Sequence, residues 1–242
     1  LIDAGLEFLV SMGTTGESAV LTNDEKQKIV AFTKNEINGR VPFVVGIGGN
    51  NTSDVVAQIK STDFSGIDAI LSVSPAYNKP TQEGIYQHFK AISEVCPTNI
   101  ILYNVPGRTS VDMQPETVLR LSTHKNIVGI KEASGNKERS NNLMKLCSAN
   151  MKIFTGDDKT SLSDIADGFS GNISVTANVA PLEMHQMCQS ALEGDIERAS
   201  KLNSNLDILH DLLFCESNPI PVKWCLHKMG LIKKGIRLPL TW

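Results

Sequence analysis

No run of apolar residues in this 242-residue chain approaches the roughly 20 needed to cross a bilayer, so a membrane-spanning helix is not expected. Charge of one sign is also scarce. The formal net charge is −3, and the one dense basic cluster is Lys233-Lys234 with Arg237, which reads as a solvated turn. Nothing here can follow a nucleic-acid backbone. The cysteines Cys96, Cys147, Cys188, Cys215 and Cys225 are odd in number and never spaced C-x-x-C. That excludes a disulfide framework and a zinc knuckle, and it fits a reducing cytoplasm. The five histidines are scattered without an H-E-x-x-H, so no bound metal is expected. The start carries no signal-peptide pattern, and the expected location is cytoplasmic.

What the chain does contain is alternation. Short apolar segments of strand composition occupy Glu7–Met12, Pro42–Gly48, Ala69–Ser74, Asn99–Val105, Ile127–Lys131, Lys152–Gly156 and Asn172–Ala177. Helical patterns lie between them at Asp24–Asn38, Asp54–Thr62, Gln82–Cys96, Gln114–Thr123, Ser140–Ala149 and Ser161–Asp167. Thr22 or Asn23 can cap the first of these, and Thr81 the third. Two longer helices are expected at Pro181–Glu193 and Asp195–Glu216, then a Pro-rich turn at Asn218–Pro221 and a short helix. Strands recurring at the length of one βα unit require a parallel sheet with covering helices. An open doubly wound sheet and a closed barrel both satisfy this. Gly46-Ile47-Gly48-Gly49 does not complete the dinucleotide pattern G-x-G-x-x-G. The regular succession of seven near-equal units favours the (β/α)8 barrel.

Seven is one short of eight. Leu1-Ile2-Asp3-Ala4-Gly5 reads as a helix tail, and Leu238-Pro239-Leu240-Thr241-Trp242 carries no closing element. The expectation is a barrel body over residues 1–180, holding strands two to eight without the first, and a truncated helical region over residues 181–242.

Barrel active sites form where strands end, and each strand exit here carries polar chemistry. Lys131 ends the run Asn126-Ile127-Val128-Gly129-Ile130-Lys131. Taken alone, it fits a strand-end lysine that reaches solvent. Buried, it would lose its charge more readily than an exposed lysine and become a nucleophile for carbonyl carbon. The first exit, Gly13-Thr14-Thr15-Gly16-Glu17-Ser18, offers backbone N–H groups and two hydroxyls suited to a carboxylate. The third, Ser74-Pro75-Ala76-Tyr77-Asn78-Lys79-Pro80, holds a phenol between two prolines. The fourth, Tyr103-Asn104-Val105-Pro106-Gly107-Arg108-Thr109, adds a second phenol and a guanidinium fork that can grip a carboxylate. Together these suit Schiff-base chemistry on a 2-oxo acid, with hydroxyls moving protons and no cofactor.

Gly13-Thr14-Thr15-Gly16-Glu17, Tyr103 through Thr109 and Gly129-Ile130-Lys131-Glu132-Ala133 resemble the dihydrodipicolinate synthase family. Ser174-Val175-Thr176-Ala177-Asn178 and Asn218-Pro219-Ile220-Pro221-Val222-Lys223-Trp224 extend the resemblance along the whole chain. It implies a (β/α)8 barrel with a C-terminal helical extension. The implied reaction condenses pyruvate with L-aspartate 4-semialdehyde on the diaminopimelate route to lysine. By resemblance, Lys131 forms the Schiff base and Tyr103 exchanges the proton beside it. Thr14 and Tyr77 complete a hydroxyl relay, Tyr77 from the neighbouring subunit of a homotetramer built of dimers. Thr15 holds the pyruvate carboxylate, with Ile173 and Gly156 lining the pocket, and Arg108 binds the semialdehyde carboxylate.

The resemblance leaves N-acetylneuraminate lyases and 2-keto-3-deoxy-sugar-acid aldolases as relatives to separate. They keep the lysine and the loop tyrosine but usually lack an arginine at the position of Arg108, which favours the synthase. A truncated barrel with only a binding role is the alternative of another class. The family's lysine-feedback site is implied near Asn23, Lys26 and Ala76, with Asn50 and Asp54 closer to its usual pattern; Ser18, Ala19, Asn50 and Asp54 are the regulatory candidates. Lys26 sets a cation where an amino-acid ammonium would approach, so weak or absent inhibition by lysine is expected.

Overall fold

Parallel strands alternate with helices over residues 9–166 of the computed structural model, which describes residues 1–242. In chain order the elements are β1 (Leu9–Ser11), α1 (Asn23–Ile37), β2 (Phe43–Gly46), α2 (Thr52–Ser61), β3 (Ala69–Val73), α3 (Gln82–Val95) and β4 (Asn99–Asn104). They continue through α4 (Pro106–Thr109), α5 (Pro115–Leu121), β5 (Ile127–Glu132), α6 (Lys137–Cys147), β6 (Lys152–Thr155) and α7 (Ser161–Ala166). The C-terminal quarter is helical: α8 (Pro181–Leu192), α9 (Ile196–Ser204), α10 (Asp207–Leu212) and α11 (Ile220–Lys228). The sheet is six-stranded and parallel, in the order β1-β2-β3-β4-β5-β6. Each strand lies beside the next in sequence, as repeated βα units with short connections require.

Local chemistry explains where helices start. The Thr22 hydroxyl accepts from the Glu25 N–H at 3.3 Å while the Glu25 carboxylate accepts from the Thr22 N–H at 2.8 Å, a capping box at the head of α1. Thr81 accepts from the Gly84 N–H at the head of α3. Asn51 and Asn136 cap α2 and α6, which therefore begin slightly earlier than the expected Asp54 and Ser140.

Side chains alternate across the sheet. Ile70, Ile100, Leu102 and Ile130 point outward into a 26-residue core shared with Ile85, Phe89 and Ile92 of α3. Val44, Ala69, Leu71 and Ile101 form a smaller cluster on the inner face, joined by Ile173 and flanked by Tyr103 and Phe154. Each fully buried isoleucine or phenylalanine contributes about 1.5–3 kcal/mol of transfer free energy, so the outer layer dominates stability. The inner face is where polar side chains can gather at the strand ends.

Two expectations need correction. The segment Asn172–Ala177 is not a seventh strand. It makes one parallel bridge, Thr155 to Asn172, whose two bonds run from the Thr155 N–H to the Gly171 carbonyl at 3.0 Å and from the Ile173 N–H to the Thr155 carbonyl at 2.9 Å. The next N–H groups are diverted: those of Val175 and Thr176 donate to the Asp158 carboxylate at 3.0 and 2.8 Å. A side-chain acceptor thus replaces the ladder, and a 3-10 turn follows at Thr176–Asn178. The long helix expected at Asp195–Glu216 is also divided, into α9 and α10, by a turn at Asn205-Leu206.

Candidate active site

The β4–β5 ladder shifts register between Ile100 and Ile101 and then pairs Tyr103 with Lys131 and Asn104 with Glu132. Alternation turns the two pairs to opposite faces. Tyr103 and Lys131 face inward, and the Lys131 Nζ lies 4.7 Å from the centroid of the Tyr103 ring. Lys131 is 9% exposed. Burial pulls its ammonium down from the ordinary lysine value to about 8; the Asp158 carboxylate opposes that shift and the Arg108 guanidinium adds to it. At pH 7 roughly one molecule in ten then carries a neutral amine, far more than an exposed lysine provides. Burial pushes the Tyr103 phenol up, partly offset by Arg108 and by a hydrogen bond with the Thr14 side chain. The phenol is therefore protonated at neutral pH and able to donate.

Behind this pair, Asn104 and Glu132 lie under the helical layer. The Asn104 amide donates to the Glu132 carboxylate at 3.2 Å and to Asp112 at 2.9 Å, and its carbonyl oxygen accepts from the Met113 N–H at 2.9 Å. Buried Arg139 forms ion pairs with both Glu132 and Asp112. A one-residue slip of β5 against β4 would part Asn104 from Glu132 and turn Glu132 to the other face, so this polar cluster holds Tyr103 opposite Lys131.

Gly156 follows β6 and lies directly against the lysine. A Cβ there would sit 2.5 Å from the Lys131 Cε and 2.9 Å from the Ala133 Cβ. The residue must be glycine for the lysine to lie along the inner face. Asp158, two residues on, is buried and accepts from the Asn172 amide, the Val175 and Thr176 N–H groups and the Thr176 hydroxyl. It is an anion fixed near the amine.

Thr14 and Thr15 form the 3-10 turn Thr14–Gly16 immediately after β1. Asn218 reaches this turn from far along the chain: its amide donates to the Thr15 hydroxyl at 3.1 Å. The Asn218 carbonyl accepts from the Arg108 guanidinium at 3.2 Å. One buried asparagine thus links the threonine turn to the arginine of α4. Ile173 is buried in the inner-face cluster against which Tyr103 packs.

Tyr77 is joined to the edge of this site by its backbone N–H, which donates to the Thr109 carbonyl, next to Arg108, at 3.3 Å, while its side chain is left in solvent. It is 90% exposed and has a positive φ of 70°, an uncommon conformation for a bulky residue. The loop is held in place by Asn50, which accepts from the Ala76 N–H at 2.9 Å and whose carbonyl accepts from the Asn78 amide at 3.1 Å. Asn50, expected as a regulatory residue, therefore has a structural task. Ser18 and Ala19 lie in the short turn Ser18–Val20, and Asp54 is exposed in the first turn of α2.

The description that matches this sequence is the Dihydrodipicolinate synthetase family, over residues 1–242. The chain belongs to the dihydrodipicolinate synthetase family. It is 52% identical over 241 residues to the 4-hydroxy-tetrahydrodipicolinate synthase of Pseudomonas putida, covering 100% of this chain and 82% of that one. Identity to the Pseudomonas aeruginosa protein of the same name is 49% over 241 residues, with the same coverage of each chain. Among solved structures, the chloride-inhibited dihydrodipicolinate synthase of Acinetobacter baumannii complexed with pyruvate superposes with a TM-score of 0.96 at 47% identity, covering 99% of this chain and 82% of that one.

Within the family framework, sequence reasoning named Lys131, Tyr103, Thr14, Thr15, Arg108, Ile173 and Gly156, and the fold gathers all of them around one end of the sheet. It assigned no role to Asn218 or Asp158. Asn218 heads the run Asn-Pro-Ile-Pro-Val-Lys, and Asp158 closes Gly156-Asp157-Asp158 at the end of the Lys152–Gly156 segment. An asparagine before a proline at a helix start was the available signal for the first. Adjacent aspartates at a strand exit were the signal for the second.

Proposed function

We propose that this chain is a lyase that condenses pyruvate with L-aspartate 4-semialdehyde, through a Schiff base on Lys131, to give 4-hydroxy-tetrahydrodipicolinate in lysine biosynthesis. The observation that carries the reading is the buried amine of Lys131, lowered to about 8, beside the Tyr103 ring at 4.7 Å.

The neutral amine attacks C2 of pyruvate. Tyr103, protonated, donates to the departing hydroxyl, water leaves, and a cationic imine forms. Asp158 is the fixed anion that offsets the new positive charge. The Thr14–Thr15 turn holds the pyruvate carboxylate through hydroxyl and backbone N–H groups. The Tyr103 phenolate takes a C3 proton to give the enamine, which attacks the aldehyde carbon of the second substrate, and the new alkoxide is protonated to the 4-hydroxyl. Arg108, exposed at the head of the site and tethered to Asn218, holds that substrate's carboxylate. The substrate's own amine then displaces Lys131 from the imine and closes the ring. The sum consumes both substrates and releases one water, and no cofactor enters.

The sheet is read as part of a closed (β/α)8 barrel continued by the helices from α8 onward, in a cytoplasmic homotetramer. An exposed Tyr77 held on an anchored loop fits a residue offered to a neighbouring subunit. Regulation by lysine is weak or absent on this reading, and half-inhibition at submillimolar lysine would reject it.

The test is an assay of the purified protein with pyruvate and L-aspartate 4-semialdehyde, run beside N-acetylneuraminate and 2-keto-3-deoxy acids. Condensation of the semialdehyde is the expected dominant reaction. Faster cleavage of a sugar acid would reject the reading.

A further inference from the structure

The turn that carries Thr14 and Thr15 is gripped at two points by one distant segment. Asn218 takes the Thr15 hydroxyl. Five residues later, in the first turn of α11, the Lys223 ammonium forms an ion pair with the Glu17 carboxylate. Glu17 is the residue that closes the turn: its N–H donates to the Thr14 carbonyl at 3.0 Å. Its backbone is left-handed, with φ 55°, a conformation that costs a non-glycine residue free energy and persists only when its surroundings hold it.

The hold is specific. The Glu17 side chain is 9% exposed and that of Lys223 is 21% exposed. One Glu17 oxygen takes Lys223; the other accepts from the Arg237 N–H at 2.8 Å. Burial pushes the Glu17 carboxyl up, but the Arg237 N–H and Lys223 outweigh it and hold it below the ordinary value, so it is an anion at neutral pH. Val222, fully buried against Val175 and Leu213, fixes the helix turn that presents Lys223.

We propose that Lys223 is a positioning residue: acting through Glu17, it sets the Thr14–Thr15 turn in the conformation that receives the pyruvate carboxylate. The inference rests on reading that turn as the pyruvate cradle. Arg108 is tethered through the Asn218 carbonyl rather than through Glu17, so removing the Lys223–Glu17 ion pair leaves the second substrate's clamp its own hydrogen bond. The cradle binds a carboxylate that is present before and during the reaction. Loosening it removes uniform binding, which raises KM and spares kcat.

The experiment is steady-state kinetics on the full chain carrying Lys223→Met, Lys223→Arg or the pair Glu17→Gln/Lys223→Met, each with a melting curve. Lys223→Met is expected to raise the pyruvate KM roughly ten-fold with kcat within about two-fold and the semialdehyde KM unchanged. Lys223→Arg keeps the ion pair and is expected to restore most of the pyruvate KM. A merely structural role would instead lower kcat or the melting temperature and move both KM values together; that result overturns the proposal, as does an unchanged pyruvate KM. If Lys223→Met does not fold because Glu17 is left as a buried lone anion, the doubly neutral variant decides by the same criterion. A wild-type protein that folds but shows no pyruvate-dependent condensation overturns the cradle reading and this inference together. An active wild type with an unmoved variant overturns the inference alone.

Discussion

Tyr103 and Lys131 are lateral partners in adjacent strands, and the lysine Nζ stands 4.7 Å from the tyrosine ring centroid. Their closeness is a property of the sheet register rather than of a flexible loop. The phenol is thus preorganised beside the amine. Tyr103→Phe keeps the ring and the packing but removes the proton donor. Its kcat is expected to fall about 100- to 10,000-fold with little change in melting temperature. Retention of wild-type kcat would remove Tyr103 from the proton-transfer role.

Lys131 makes folding depend on pH. Its folded pKa, about 8, lies below the ordinary lysine value of 10.5, so between those values the unfolded chain binds more protons than the folded one. Stability therefore rises with pH through that window, and the cost of burying the ammonium is fully present below about pH 8. That cost is about 3 kcal/mol to order of magnitude. Lys131→Met is expected to be more stable than wild type at pH 7, by up to about that amount, with the advantage shrinking toward pH 10. Denaturant titrations at both pH values check this; a variant less stable than wild type at pH 7 would contradict it.

Gly156→Ala tests the space around the amine. The added methyl meets the Lys131 Cε at 2.5 Å and the Ala133 Cβ at 2.9 Å. The lysine tip can swing away, but Ala133 cannot. A stability loss of about 1–3 kcal/mol is expected, with a larger loss of activity because the displaced amine no longer reaches pyruvate. Normal activity with normal stability would show that the space is not required.

The outward pair carries its own prediction. Arg139→Leu leaves Glu132, 3% exposed, without its cation. Loss of about 3–5 kcal/mol is expected. Replacing Glu132 by leucine in the same chain is expected to recover part of that loss, since the stranded charge is then gone. Denaturant midpoints for the two variants measure it.

The strand exits were legible in the sequence because each is a local event. An apolar run stops, and the next residues are glycines, hydroxyls or a lone cation. Lys131, Tyr103, Thr14, Thr15 and Arg108 all follow from that pattern. Asn218 and Lys223 did not, because they act on Thr15 and Glu17 more than 200 positions away, and no local pattern encodes such a contact. Ile173-Ser174-Val175 alternates like a strand, yet Asp158 captures the N–H groups a ladder would need. A buried carboxylate overrode a correct local preference. The Asp195–Glu216 stretch likewise has helical composition throughout, yet it breaks where Asn205 and Leu206 form a turn and its second part ends at Leu212.

The central claim is that Lys131 forms a covalent imine with pyruvate. Incubating the protein with pyruvate and borohydride, then mapping the adduct by mass spectrometry, tests it directly. The account predicts one 1-carboxyethyl adduct, the reduced pyruvate imine, on the peptide containing Lys131 and none in Lys131→Met. A folded protein that gives no adduct, or one carried by a different lysine, would contradict it.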